Sequence, residues 1–423
     1  MFAEHRGTTQ APPPSPITAV LEKKQAVFRL GIGVKAAPPG WNGDGHAMDL
    51  LFTADIQLLA PSSVPDQTFY GRTMDPVRVN MQLARSWIDE CEDSHSAQCE
   101  TLVSKNTPEG SVYTSFPPHS LRVINVKSLS LSQLPKNAKY VALSYCWGQS
   151  NRHFLTTKAN ITELQSARGI SRVWEQLPGT IQDAIECVRE LGYEFLWVDA
   201  LCIIQDDNQD KAEQIKQMDR VYDSALLTII SAFEPTKNAN TPGMMASFDG
   251  LPWYRPYSMD RRRCQTKAVI KELEISTTLS DVKIATWKSR WATRAWTFQE
   301  QLLSKRRLFF TNPQLYFQCS CGVFCEDVVG EGKSPSAYIH TRTSLYNESS
   351  LFHDYYSGSD GNARMLMRSK FASREEAFKY YGQLIDAYTR RTMTNQADEL
   401  AALEGIMAVL RTTMGTEFIH GLP

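Results

Sequence analysis

No stretch of the sequence is apolar and long enough for a membrane-spanning helix. The longest, Val221 to Phe233, is broken by Asp223, Ser224, Thr228 and Ser231 and falls short of the roughly 20 residues a span needs. The N-terminal MFAEHRGTTQAPPPSP has no apolar core of a secretory signal. Charge of one sign is missing as well: the formal net charge is −1 with both signs mixed along the chain, which excludes the electrostatic footprint of a nucleic-acid binder or a membrane-surface protein. The nine cysteines are odd in number and scattered, so a disulfide scaffold is excluded and reduced thiols in the cytoplasm are expected. Neither a Walker-type phosphate loop nor an internal repeat of about 20–50 residues occurs. A G-x-S-x-G turn is absent too, so Ser144 is not read as a triad nucleophile.

What is present is a chain of 423 residues, 42% apolar, enough for two domains or for one with extensions. Residues 1–75 are rich in Pro, Gly and polar residues (APPPSP, AAPPGWNGDG, APSSVPD) and read as an irregular extension. Residues 76–119 form a helical lead-in, with Ala84, Trp87, Ile88 and Cys91 on one stripe. Residues 120–330 carry the main α/β domain, with an irregular insertion at about 235–285 that includes Arg261, Arg262 and Arg263, a basic run read as solvated loop. Residues 331–423 read as a helical C-terminal region, with helices at Ser373–Arg390 and Gln396–Arg411; a truncated C-terminus is expected.

Within the central domain, LRVINV and YVALSYCWG read as strands, the second apolar enough to be covered on both faces. Thr180 to Gly192 reads as a helix, with Thr180 and Asp183 spaced as a capping pair and Gly192 as its stop. FLWVDALCII (Phe195–Ile204) and LLTIISA (Leu226–Ala232) read as buried strands on either side of a helix marked by Ile215, Met218, Tyr222 and Ala225. A further helix runs from Trp291, followed by strand-like RRLFF and LYFQCSC. This alternation predicts a parallel, doubly wound sheet whose ligand site lies beyond the carboxyl ends of its strands, at the loops after Tyr145, Val198 and Ile230.

Four blocks, YVALSYCWG, LPGTIQDAIECVRELGYEFLWVDALCIIQDD, MDRVYDSALLTIISA and RAWTFQEQLLSKRRLFF, resemble in order and spacing the heterokaryon-incompatibility (HET) domain of filamentous fungi. The resemblance covers about residues 120–325. It implies an effector of self/non-self recognition that triggers regulated cell death, released by an upstream recognition protein and acting as a homo-oligomer through this domain. The HET domain in turn resembles the TIR domain, which implies a TIR/flavodoxin-like parallel sheet flanked by helices. Trp296 and Glu300 reproduce the Trp-x-x-x-Glu spacing that carries the catalytic glutamate of TIR enzymes, although Thr297 stands where those enzymes usually have Cys.

That likeness implies an NAD glycohydrolase, with NAD as substrate and no cofactor. Nicotinamide leaves as a neutral group, so one carboxylate suffices where an ordinary glycoside uses two; held near the ribose, Glu300 would stabilise the developing oxocarbenium charge. Helical spacing places Glu300 and Trp296 opposite the stripe of Trp291, Ala295, Phe298 and Leu302, facing a cleft; a plain surface glutamate beside an exposed tryptophan fits the same spacing. Tyr145, Trp147 and Gly148 offer an aromatic wall and a close backbone approach for a flat base, or else a turn whose tryptophan fills the core. Asp199 is a candidate for ribose hydroxyls or for holding an arginine, or equally a helix or loop cap, and Arg294 is a candidate for a phosphate or for an ion pair with Asp199, the favoured reading. Glu213 is the second candidate carboxylate. The alternative to an enzyme is a signalling adaptor that acts by self-association. Two groups, Cys91/His95/Cys99 and Cys319/Cys321/Cys325, hold metal-ligand residue types without C-x-x-C spacing, and no metal is expected. Cys202, among apolar neighbours, reads as an inert buried thiol.

Overall fold

The computed structural model describes residues 29–35, 50–61, 70–75, 78–94, 99, 117–118, 120–147, 154–232, 265–279, 282–287, 289–320, 322–331, 373–393 and 395–418. Arg261, Arg262 and Arg263 lie outside the described residues. No helix among those described is long and apolar enough to cross a membrane.

The centre of the molecule is an α/β layer built on a mixed sheet. Its strands are β3 (Arg122–Asn125), β4 (Ser130–Gln133), β5 (Val141–Ser144), β6 (Phe195–Trp197), β7 (Leu227–Ser231), β10 (Arg306–Phe310), β11 (Leu315–Cys319) and β12 (Val323–Cys325), in the spatial order 12-11-10-7-5-6-3-4. The inner four, β10-β7-β5-β6, are parallel, with Val141 opposite Leu196 on one side and Leu227 on the other. In chain order these four stand 2-1-3-4, the flavodoxin-like winding, whose switch point lies between its first and third strands, here β5 and β7. Antiparallel strands extend the parallel core at both edges, β3 and β4 beyond β6 and β11 and β12 beyond β10. Every residue of β5, β6, β7, β10 and β11 is buried, as near-continuous apolar strands covered on both faces should be.

The lead-in helix α1 (Met81–Ser94) buries Met81, Ala84, Trp87, Ile88 and Cys91, and it packs on β11. Between β5 and β6 come α2 (Ile161–Gln165), α3 (Gly169–Arg172) and α4 (Gly179–Glu190), and α4 lies on β6. The capping pair expected at Thr180 and Asp183 is not formed. The helix begins one residue earlier, with Pro178 as N-cap and no side-chain cap, so both residues fall inside the helix, buried. Its stop is as expected: Gly192 has φ +80, a left-handed conformation that costs glycine little.

Two further boundaries differ from the sequence reading. The strand expected over Phe195–Ile204 ends at Trp197, and Asp199–Cys202 turns into a short helix, α5, because the Asp199 carboxylate takes the Ala200 amide and ends the extended run. The helix expected across Ile215 to Ala225 is two, α6 (Asn208–Ile215), N-capped by the Asp207 side chain, and α7 (Met218–Ser224).

A second, antiparallel sheet has the order β1-β2-β9-β8. It joins β1 (Arg29–Lys35) and β2 (Leu50–Leu58), from the segment expected to be irregular, to β8 (Lys267–Ile270) and β9 (Leu273–Thr277), from the expected insertion. RLGIGVK does carry a two-residue alternation of Leu30, Ile32 and Val34, obscured by the Pro- and Gly-rich sequence around it. Buried Gln57 ties this sheet to the main one by donating from Nε2 to the Asp327 carbonyl at 2.9 Å.

After β9 the chain forms α8 (Val282–Trp287), α9 (Arg290–Thr293) and α10 (Ala295–Leu303), and after the main sheet α11 (Arg374–Thr389) and α12 (Ala401–Met414). Helix α10 is packed from several sides: α7, α11 and α12 all touch it. Gly405 of α12 approaches so closely that its amide donates to Gln299 Oε1 at 2.9 Å, and an added Cβ would stand 2.3 Å from the Asp219 side chain. Gly405→Ala is therefore expected to destabilise the fold by about 1–3 kcal/mol through forced separation of α12 from α7 and α10, read as a lower urea midpoint. A midpoint equal to wild type would show that the helices move apart without cost.

Candidate functional site

The carboxyl ends of β5 and β6 bring together most of the residues singled out from the sequence. β5 ends at Ser144, and the chain continues through Tyr145, Cys146 and Trp147; β6 leads through Val198 to Asp199. Across from them α9 and α10 meet at Arg294, which is extended (φ −86, ψ 141) and breaks what would otherwise be one helix from Arg290 to Leu303.

Glu300 lies at the centre. It is 8% exposed, not on an open face as helical spacing suggests. Phe298 is buried in the core, as its stripe implies, packed at 5.9 Å from Tyr388 and under the Arg391 guanidinium at 4.6 Å, while Glu300 points to the strand ends. Both faces of α10 are covered, so the rule that a charge on a helix marks its wet side does not hold. The Ser144 hydroxyl donates to Glu300 Oε2 and accepts from Trp291 Nε1 at 2.7 Å. The Tyr222 hydroxyl lies within hydrogen-bond reach of the Leu143 carbonyl at 3.1 Å and of the Glu300 carboxyl.

Asp199 is the second acid. Its Oδ2 accepts from Trp147 Nε1 at 2.8 Å, its Oδ1 from the Ala200 amide at 2.7 Å, and the buried Tyr145 hydroxyl bonds to the same carboxylate. Arg294 does not form the expected direct ion pair with it. Its Nη1 donates to the Tyr145 carbonyl at 3.3 Å and its side chain reaches Cys146, so its charge acts on Glu300 and Asp199 from a distance. Trp296 is half-buried against the core and makes none of the hydrogen bonds of this cluster. Gly148 lies outside the described residues, and Glu213 is exposed on α6, bonded to Gln209. Cys202 is buried, as expected.

Burial pushes the Glu300 carboxyl up to about 7; the Ser144 hydroxyl opposes this, the Asp199 charge adds to it, and Arg294 and Tyr222 pull it down. Asp199 is raised by burial too, against the Ala200 amide and the Trp147 indole. A carboxyl that titrates near neutrality beside a fixed cation and ordered hydroxyls is equipped for proton transfer or for stabilising positive charge. Ser144→Ala removes the donor that favours the ionised form and leaves the Trp291 indole without this acceptor. It should raise the pH at which Glu300 ionises above about 7 and cost about 1–3 kcal/mol. Carbon-labelled glutamate NMR against pH reads the first effect, and a midpoint at or below the wild-type value would refute it.

Sequence reasoning missed Ser144, Tyr222 and Trp291 as members of this cluster. Ser144 is the one hydroxyl in an otherwise apolar strand, and Tyr222 and Trp291 had been assigned to core stripes; a lone polar residue at a strand's carboxyl end was the available signal.

Comparison with known proteins accords with this architecture. The family model of the heterokaryon incompatibility protein (HET) matches residues 140–300, which run from the residue before β5 to Glu300 itself. The chain is also similar to heterokaryon incompatibility protein 6, OR allele, of Neurospora crassa, with 28% identity over 155 residues. That stretch is 32% of this chain and 22% of the relative, so the match spans about a fifth of that protein's length. No solved structure matches the chain. The four sequence blocks, the α/β sheet they build and the family match agree: this chain carries a heterokaryon-incompatibility (HET) domain.

Proposed function

We propose that the protein is a heterokaryon-incompatibility effector of self/non-self recognition in the cytoplasm, and that its HET domain triggers cell death by cleaving NAD at the nicotinamide–ribose bond, with Glu300 as the working carboxylate. The observation that carries this reading is the placement of Glu300: a carboxyl titrating at about 7, at the β5 end beside the switch point, with Arg294 and Asp199 around it. Ionised, it would stabilise the oxocarbenium charge that develops as neutral nicotinamide departs. Arg294 would hold a phosphate, and Asp199 the ribose hydroxyls. Of the cluster, Cys146, Trp147, Asp199 and Arg294 keep partial exposure, so substrate would enter on that side. Admission to a nearly closed site suits an effector switched on when copies assemble through this domain or when an upstream recognition protein releases it.

A second reading rests on the same burial. Asp199 is already satisfied by Trp147, Tyr145 and Ala200, and Glu300 by Ser144, as in a polar network that only holds a core in shape. In that case the domain is a signalling adaptor acting by self-association. Nicotinamide release from NAD by the purified full chain at high concentration separates the two, with Glu300→Gln and Glu213→Ala measured alongside. Release that vanishes in Glu300→Gln and survives in Glu213→Ala supports the enzyme. No release from folded, self-associated protein overturns it in favour of the adaptor.

A further inference from the structure

The sequence divides its candidate soft ligands into two groups more than two hundred residues apart, and neither is a metal site by spacing. The fold takes members from both. The Sγ atoms of Cys91, in the last turn of α1, of Cys99 and of Cys319, at the end of β11, all lie within 4.8 Å of one another. The residues are 0%, 0% and 1% exposed, and the sulfurs are thiols, not halves of a disulfide. Cys325 is on the other side of the sheet, in the smaller apolar cluster with Trp291 and Phe309. His95 and Cys321 lie outside the described residues.

Three sulfurs converging on one point are the donor set of a thiophilic ion such as zinc. Tetrahedral zinc, with Zn–S of about 2.3 Å, spaces its sulfurs about 3.8 Å apart, so the triangle has to close by no more than about 1 Å. The surroundings fit the charge of such a centre. Three thiolates around Zn²⁺ carry a net negative charge, and the fully buried Arg306 places its Nε 3.2 Å from Cys91 Sγ as a donor. The Ser320 backbone amide donates to Cys99. Amide and guanidinium donors to ligating sulfur are what the outer shell of a thiolate site provides.

We propose that Cys91, Cys99 and Cys319 bind one zinc ion. On binding, three S–H groups lose their protons to solvent, three Zn–S bonds form as the ion sheds water, and a further donor fills the fourth position. The ion pins α1 to β11 by joining Cys91 to Cys319, which lie far apart along the chain.

The test is elemental analysis of tag-free full-length protein purified with reductant and without chelator, with X-ray absorption at the zinc edge to count sulfur ligands. The expected result is about one zinc per chain with three sulfurs in its first shell, and loss of the ion in Cys319→Ser. Cobalt added to chelator-stripped wild type should give the strong near-ultraviolet thiolate-to-cobalt absorption, which keeps the proposal testable where Cys319→Ser fails to fold. Folded wild type that holds no zinc and shows no such absorption with cobalt overturns it, as does zinc retained in full by a folded Cys319→Ser.

Discussion

Glu300→Gln is expected to be more stable than the wild type above pH 7 and equal to it in acid. The folded-state carboxyl ionises at about 7 against an ordinary value of 4.5, mainly because it is buried. A raised carboxyl favours the folded state while protonated: its contribution is complete below pH 4.5, declines from there, and is gone once the pH has risen through 7. Wild type should lose about 3 kcal/mol over that window through this group, whereas the amide, which cannot ionise, should not. Asp199 is shifted the same way and remains in the variant, so the pH slope will shrink without disappearing, and removing the Glu300 charge should itself ease ionisation of Asp199. Urea unfolding at pH 4.5, 6 and 8 measures this directly. Parallel pH profiles for the two proteins would show that Glu300 ionises in the fold as easily as in the unfolded chain. A stabilising variant that also loses nicotinamide release would mark Glu300 as a group kept for chemistry at a cost to stability.

Much of the central architecture was legible because its signals are local. The α1 stripe of Ala84, Trp87, Ile88 and Cys91 is buried as its spacing implies, and the strand-like runs at Val141, Leu227, Arg306 and Leu315 are strands. The convergence of Tyr145, Trp147, Asp199 and Arg294 was readable as well, since each lies at a strand end or at the helix entry facing it. What failed depends on a second partner. The helical-wheel placement of Glu300 assumed one packed face, but α12, about a hundred residues later, covers the other. The composition of α10 held the clue: in AWTFQEQLL, Glu300 is the one charged residue, which marks a helix buried all round. Likewise Cys319 completes a triangle with Cys91 and Cys99 only through the packing of α1 on β11, and no spacing rule along the chain spans that distance.

Ending the chain before Ser373 is expected to abolish cooperative folding. Tyr380, Leu384 and Tyr388 of α11 and Leu403, Ile406, Met407 and Leu410 of α12 are buried in the same apolar cluster as β5, β6 and α4. Each large apolar side chain contributes about 1.5–3 kcal/mol on burial, so the loss of these contacts, about 10–20 kcal/mol, is as large as the whole margin of roughly 5–15 kcal/mol by which domains are stable. The backbone is committed too: the Ala295 amide at the head of α10 donates to the Thr392 carbonyl at 3.0 Å, and Thr392 returns a bond to the Thr293 carbonyl at 2.6 Å. Without residues 373–418, α10 would expose Phe298 and lose the partner of Gln299, and the helix that carries Glu300 would no longer be held against Ser144. Near-ultraviolet circular dichroism and a urea titration of the 1–372 fragment test this; a cooperative transition at the wild-type midpoint would make the C-terminal helices a separable layer and open the way to reading them as an inhibitor of the core. With the expected result, the segment matched by the family model, 140–300, is not a self-sufficient folding unit in this chain. Inactivity of that segment alone would then report an unfolded Glu300 helix and would leave the chemistry of the intact site untouched.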